Sequence, residues 1–154
     1  MPFFFLKKDF DELDEKIKEL DEKITEIGKK IGESCKESSD TWHDNFDFED
    51  GKRQQRMLSD RLRELVNIRN SAQIVKPSPL IDKVSLGKQV VVEDIETGNT
   101  EVLIIGSYMV LNRKKGTVSY NAPLGRLLIG ASVGEIKRGV IVDREKSIKI
   151  LKIE

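Results

Sequence analysis

The chain has 154 residues, with 27 basic and 27 acidic side chains and one cysteine. That length allows one compact domain or two small ones, and the zero net charge excludes a general nucleic-acid binder, which would be basic overall. Cys35 alone cannot build an intrachain disulfide framework and fits a reducing compartment.

The N-terminal MPFFFLKK carries an apolar run too short for a signal-peptide core, and no run approaches the roughly 18 residues of a membrane span. The expectation is a soluble, cytoplasmic protein with no membrane contact. Three adjacent exposed Phe would be an aggregation liability. Residues 3 to 5 are therefore expected to pack on the base of the helical element that follows, or on the C-terminal domain.

Next, Phe10, Leu13, Ile17, Leu20, Ile24, Ile27 and Ile31 alternate steps of three and four, an a/d heptad seam. The spacing predicts a helix over about residues 9–37, roughly 40 Å long at 1.5 Å per residue. Gly28 and Gly32 inside it each cost roughly 1 kcal/mol relative to Ala and suggest softness toward its far end. A second stripe, Leu58, Leu62, Leu65 and Ala72, with Ile68 or Arg69 at the intervening turn, continues the pattern. Each helix has one apolar seam, so the two are expected to bury them against each other as an antiparallel coiled-coil hairpin. Its tip is SSDTWHDNFDFEDG, residues 38–51, with five acids, no Lys or Arg, and the only Trp and His of the chain.

The composition changes near VKPSPL, residues 75–80, and no proline lies between Pro2 and Pro77. This divides the chain into a hairpin, residues 1–76, and a C-terminal domain, residues 77–154. KQVVVED and TEVLIIG read as strands around a Thr97-Gly98-Asn99 turn, and GTVSY as a further short strand. APLGRLLIG has a Leu/Ile cluster at helical spacing closed by Gly130, hence a short helix. GEIKRGVIVD and KSIKILKIE alternate as a closing hairpin. The fold class is α+β, an antiparallel sheet with one short helix after the helical hairpin.

These parts together resemble the bacterial Gre transcript cleavage factors, the GreA/GreB family. The carrying residues are in VSYNAPLGRLLIGASVGE: Ser119, Pro123, Leu124, Gly125, Arg126, Leu128, Ile129, Gly130, Gly134 and Glu135. VSLGKQVVVEDIETGNTEVLIIG is similar to the start of the same domain. The family tip reads roughly G-D-L-S-E-N-A-E-Y, against S-D-T-W-H-D-N-F-D-F here. Matching Asp44-Asn45 to the family Glu-Asn places Asp47 and Phe48 on the Glu and Tyr that follow. Three residues then separate Asp40 from Asp44, against two in the family pattern. Ser39 replaces the tip glycine.

The resemblance implies a hairpin that enters the RNA polymerase secondary channel, where Asp40 and Asp44 help hold Mg²⁺ beside the polymerase's own ion, with Asp47 in support. Carboxylates suit this hard cation. The ion is shared with polymerase and is not expected on the isolated protein. Asn45 is expected to order the turn, Phe46 and Phe48 to pack locally, and His43 to stand exposed. Trp42 has two readings, stacking on an extruded RNA base or packing. The basic flank Lys52, Arg53, Arg56, Arg61 and Arg63 has two readings as well, contact with RNA phosphates or polymerase and ordinary intrahelical ion pairs. Which residues share a face separates them.

The resemblance gives the C-terminal domain an FKBP-like fold. Only Tyr108 and Tyr120 would line its pocket, so isomerase activity is not expected. Pro123, Leu124, Gly125, Arg126, Gly130 and Gly134 are expected to determine the fold rather than catalyse. The implied protein is a monomeric accessory factor, not itself an enzyme. Its partners are RNA polymerase and the 3′ end of backtracked nascent RNA. Two rivals stand beside this reading. One is a Gre-fold inhibitor that occupies the same channel, and the other is a coiled-coil adaptor unrelated to polymerase.

Overall fold

The computed structural model describes residues 2–37, 45–111 and 116–154, with backbone alone for 34–37 and 45–48. The elements run β1 (Phe3–Phe5), α1 (Lys7–Glu37), α2 (Asn45–Asn70), β2 (Ala72–Ile74), β3 (Gln89–Asp94), β4 (Thr100–Gly106), β5 (Thr117–Ser119), α3 (Pro123–Leu128), β6 (Ile136–Ile141) and β7 (Arg144–Ile153). They form two compact units, one of Asp11–Ser71 and one of Met1–Phe10 with Ala72–Glu154. Among the described residues no helix is long and apolar enough to cross a membrane.

Helix α1 forms because 31 residues carry one unbroken apolar seam and no proline. Asp9 in its first turn complements the helix dipole. Helix α2 has 26 residues and stops at Asn70. The Ser71 N–H is shared between the Asn67 and Ile68 carbonyls at 3.3 and 3.2 Å. The chain then turns extended, so Ala72, expected in the second seam, lies instead in β2 opposite Phe3. The apolar period runs one turn beyond the helix itself. Ile68, 7% exposed, closes the seam, and exposed Arg69 pairs with Asp14.

In the other unit five strands lie in the order β5-β4-β3-β7-β6. Three of the four pairings are antiparallel, while β4–β5 is parallel. Period-two alternation sends Val90, Val92, Leu103, Ile105, Ile148 and Ile150 to one face, where Leu128 of α3 completes the core. At the β3–β4 turn Gly98 has φ 72° and donates to the Asp94 carbonyl at 2.7 Å. The β6–β7 turn consists of two residues, Val142 and Asp143, both at positive φ.

The N-terminal phenylalanines pack on this unit. Phe3 stacks on Tyr108 with ring centroids 4.1 Å apart, Phe4 lies against Tyr120 at 6.0 Å, and Phe5 is fully buried edge-on to Phe10. Strand β1 pairs in parallel with β2. The Tyr108 N–H donates to the Phe4 carbonyl at 3.0 Å, and the Phe4 N–H donates to the Tyr120 hydroxyl at 3.0 Å. Buried Ser107 accepts from the Leu6 N–H at 2.8 Å and donates its hydroxyl to the Asp9 carboxylate. These bonds carry residues 1–10 and 72–76 into the β-rich unit, so the break in contacts does not coincide with the compositional break near residue 76.

Candidate functional site

Three contacts set the pairing of α1 and α2. Asp14 meets Arg69, a Cβ on Gly28 would stand 3.2 Å from Gln55 Nε2, and a Cβ on Gly51 would stand 3.0 Å from Ile31 Cγ1. Partners descend on α2 as they ascend on α1, so the helices are antiparallel in constant register. Leu13 and Leu65 are fully buried, and Leu20 and Ile68 nearly so. Ile24, Ile27, Ile31 and Leu58 are only half-buried. The apolar seal is therefore concentrated in the half of the hairpin away from residues 38–44. In the other half glycine faces a side chain on each helix.

The acids Asp40 and Asp44, with Trp42 and His43, lie outside the described residues. Asn45, Phe46, Asp47 and Phe48 form the first turn of α2, and their side chains lie outside the described residues too. Among the described residues no group of three or more His, Cys, Asp or Glu is placed to hold a metal.

The basic flank divides. At 100° per residue, Lys52, Arg56 and Arg63 share one stripe within about 40° of arc, and all three are exposed. Arg53 turns aside to Asp50 at 2.6 Å, and Asp50 also accepts from Gln54 at 3.1 Å. Arg61 pairs with Glu64 at 2.8 Å on another face. Arg63 lies 3.8 Å from Asp60, a loose exposed pair. Such exposed i,i+3 pairs contribute roughly 0.3–0.5 kcal/mol each. The two close pairs turn Arg53 and Arg61 toward acids of their own helix. Asp50 was absent from the candidates, although its i,i+3 spacing to Arg53 was a readable signal.

The motif of the C-terminal half has structural work for nearly every residue. Ser119 donates to the Tyr108 carbonyl at 2.9 Å and accepts from the Asn121 N–H at 3.2 Å. Pro123 opens α3 where no N–H is needed. Gly125 is buried, and a Cβ there would fall 2.1 Å from the Ser119 carbonyl oxygen. Arg126 bonds Asn121 Oδ1 through Nε and a terminal nitrogen at 3.3 and 2.8 Å. Gly130, at φ 84°, ends the helix and donates to the Val84 carbonyl. Gly134, at φ 85°, donates to the Ile150 carbonyl at 2.7 Å. Leu124 packs on the core edge. Glu135 accepts from the Ser132 N–H at 2.9 Å and lies 3.2 Å from Lys137. The backbone bond, then the lysine, hold its carboxyl below the usual glutamate value.

Residues 77–154 match the family model described as Transcription elongation factor, GreA/GreB, C-term. The chain is 34% identical over 112 residues to the transcription elongation factor GreA of Syntrophobacter fumaroxidans, covering 71% of each chain. It is 30% identical over 93 residues to GreA of Thermotoga maritima, covering 60% of each. Among solved structures, the GreA factor homolog 1 (Gfh1) protein of Thermus thermophilus aligns over 100% of this chain and 99% of its own, with 21% identity and a TM-score of 0.47. With half of the chain matched by the family model and a relative above 30% identity over most of its length, this chain belongs to the GreA/GreB family of transcription elongation factors.

Proposed function

We propose that this chain inserts its helical hairpin into the secondary channel of RNA polymerase and stimulates cleavage of backtracked transcripts, with the nuclease centre supplied by the polymerase. The observation that carries the reading is the antiparallel α1–α2 pair, whose helices end at Glu37 and begin at Asn45, on either side of Asp40 and Asp44 in the sequence. A helix of 26 residues is about 39 Å long. Family membership supplies the transcriptional context.

Asp40 and Asp44, supported by Asp47, are the donor set for Mg²⁺, jointly with polymerase groups. Aspartates are ionised at neutral pH, with an ordinary pKa near about 4, and oxygen ligands suit this ion. When bound, the ion polarises a phosphate and positions a water. Lys52, Arg56 and Arg63 form the face that meets RNA phosphates or acidic groups of the channel.

One observation favours a second reading, channel occupancy without cleavage. Three residues separate Asp40 from Asp44, where the resembled pattern has two. Stalled, backtracked elongation complexes incubated with the protein and Mg²⁺ decide between them. Shortened transcripts support cleavage, and blocked extension without shortening supports occupancy. Under the cleavage reading Asp44→Ala loses at least about tenfold in cleavage rate. Full stimulation by Asp44→Ala refutes the assigned role.

A further inference from the structure

The core face of the five-stranded sheet outruns the helix that covers it. Helix α3 has six residues, about 9 Å, while the six residues of β3 span about 20 Å. The face continues toward the β3–β4 and β6–β7 turns, which lie at one end because β3 and β7 are antiparallel, with Asp94 opposite Ile148. A cavity of about 330 Å³ opens there, at the small end of ligand-pocket sizes. Buried Val92, Leu103 and Ile148 form its floor, and half-buried Leu124 and Ile141 its walls. Among the described residues no aromatic ring lines it. Period-two alternation then turns one charged side chain of each central strand onto the same face. Glu101 lies two residues from Leu103 on β4, Asp94 two from Val92 on β3, and Lys146 two from Ile148 on β7, and all three line the cavity. They carry both signs, yet among the described residues none of them forms an ion pair. Asp94 accepts the Glu96 N–H at 3.0 Å through one oxygen, which leaves the other for a ligand. Asp94 and Lys146 are half-buried, where a charge ordinarily finds a partner inside the fold.

We infer that this cavity binds a free aliphatic α-amino acid, of the leucine, isoleucine or valine class. Charges of both signs above an apolar floor complement a small zwitterion with an apolar body. The aliphatic side chain rests on Val92, Leu103 and Ile148. The ammonium group meets Asp94 and Glu101, and the carboxylate meets Lys146, as charge-assisted hydrogen bonds. Two acids against one lysine make the ammonium the stronger determinant. The absence of an aromatic ring among the described lining residues selects an aliphatic body over a planar one. This inference does not rest on the polymerase reading and stands or falls separately from it.

The full chain, isotope-labelled at its Ile, Leu and Val methyl groups, is titrated with L-leucine and followed by methyl NMR. Saturable shifts are expected at Val92, Leu103, Leu124, Ile141 and Ile148, with a Kd of about 1 mM. Glu101→Gln and Lys146→Gln are each expected to weaken binding by at least about threefold. Two analogues test the same charges on the unaltered protein. Isoamylamine lacks the carboxylate and isocaproate lacks the ammonium group, and each is expected to bind about tenfold more weakly than leucine. No saturable shift at these methyl groups up to about 20 mM leucine leaves only a solvated rim and overturns the site. Equal affinity for leucine and either analogue, or wild-type affinity in both variants, overturns the zwitterion as its ligand.

Discussion

Gly125→Ala tests what the family motif does for this chain. In an ordinary helix the change would gain roughly 1 kcal/mol. Here the new Cβ would lie 2.1 Å from the Ser119 carbonyl oxygen and 2.9 Å from Tyr120 Cα. Carbon and oxygen rest at about 3.3 Å or more, so the carbonyl must retreat by about 1.2 Å, or α3 must lift. That carbonyl accepts the Ala122 N–H at 3.1 Å, and the Ser119 hydroxyl bridges Tyr108 and Asn121. Moving it loses one or two hydrogen bonds of about 1 kcal/mol each, on top of roughly 1–3 kcal/mol of overpacking. The net expectation is a loss of about 3 kcal/mol. Near-UV circular dichroism of Tyr108 and Tyr120 follows the unit that holds Gly125 through urea unfolding. Trp42 fluorescence would report elsewhere. Gly130→Ala is the control, with open space around it but φ 84°, and should cost about 1 kcal/mol. If Gly125→Ala costs no more than Gly130→Ala at an unchanged m-value, steric exclusion is not the reason for the glycine.

Three further substitutions probe the shaft and the C-terminal motif. Gly32→Ala adds a methyl group with nothing within 4 Å and should stabilise the hairpin by roughly 0.8–1 kcal/mol, read from helical ellipticity in thermal unfolding. Gly51→Ala, whose Cβ would crowd Ile31 Cγ1 at 3.0 Å, should gain less, and equal gains would contradict the register. Glu135 has a native pKa below its ordinary value, so proton binding is weaker in the folded state. Its stabilisation is present above the ordinary glutamate pKa and lost as pH falls through the lowered native one. Side-chain NMR titration should place its midpoint below that of an ordinary glutamate and move it up in Lys137→Ala. A midpoint unmoved by that change would remove Lys137 as a cause.

Much of the fold was legible because local pattern and tertiary role agree. The three-and-four spacing from Phe10 to Ile31 defined α1, and alternation marked β3, β4, β6 and β7. Pro123 and Gly130 bracketed α3 correctly. Failures occurred where the deciding partner is distant in sequence. FFF is compatible with a strand, but nothing local names its partners, Ala72–Ile74, Tyr108 and Tyr120. Ala72 kept helical phase, yet Ser71 already closes the last turn. The parallel β4–β5 pairing depends on how residues 107–116 return, which no periodicity encodes. At the candidate site, residue chemistry was readable while geometry was not. Five basic residues looked equivalent, and helical phase separates the stripe of Lys52, Arg56 and Arg63 from Arg53 and Arg61, which bond Asp50 and Glu64 at 2.6 and 2.8 Å.

That separation also bears on how acids and bases on one finger avoid cancelling. Screening at physiological ionic strength confines exposed charges to about 8 Å. At 1.5 Å per residue, Lys52 stands about 10 Å along α2 from Asn45, and Arg63 about 27 Å. Of the three, only Lys52 lies within about 8 Å along α2 of Asp47, Glu49 and Asp50. Arg56 lies beyond that range, and Arg63 is countered only loosely by Asp60 at 3.8 Å. Zero net charge therefore excludes indiscriminate attraction to nucleic acid without weakening a contact made at a fixed depth.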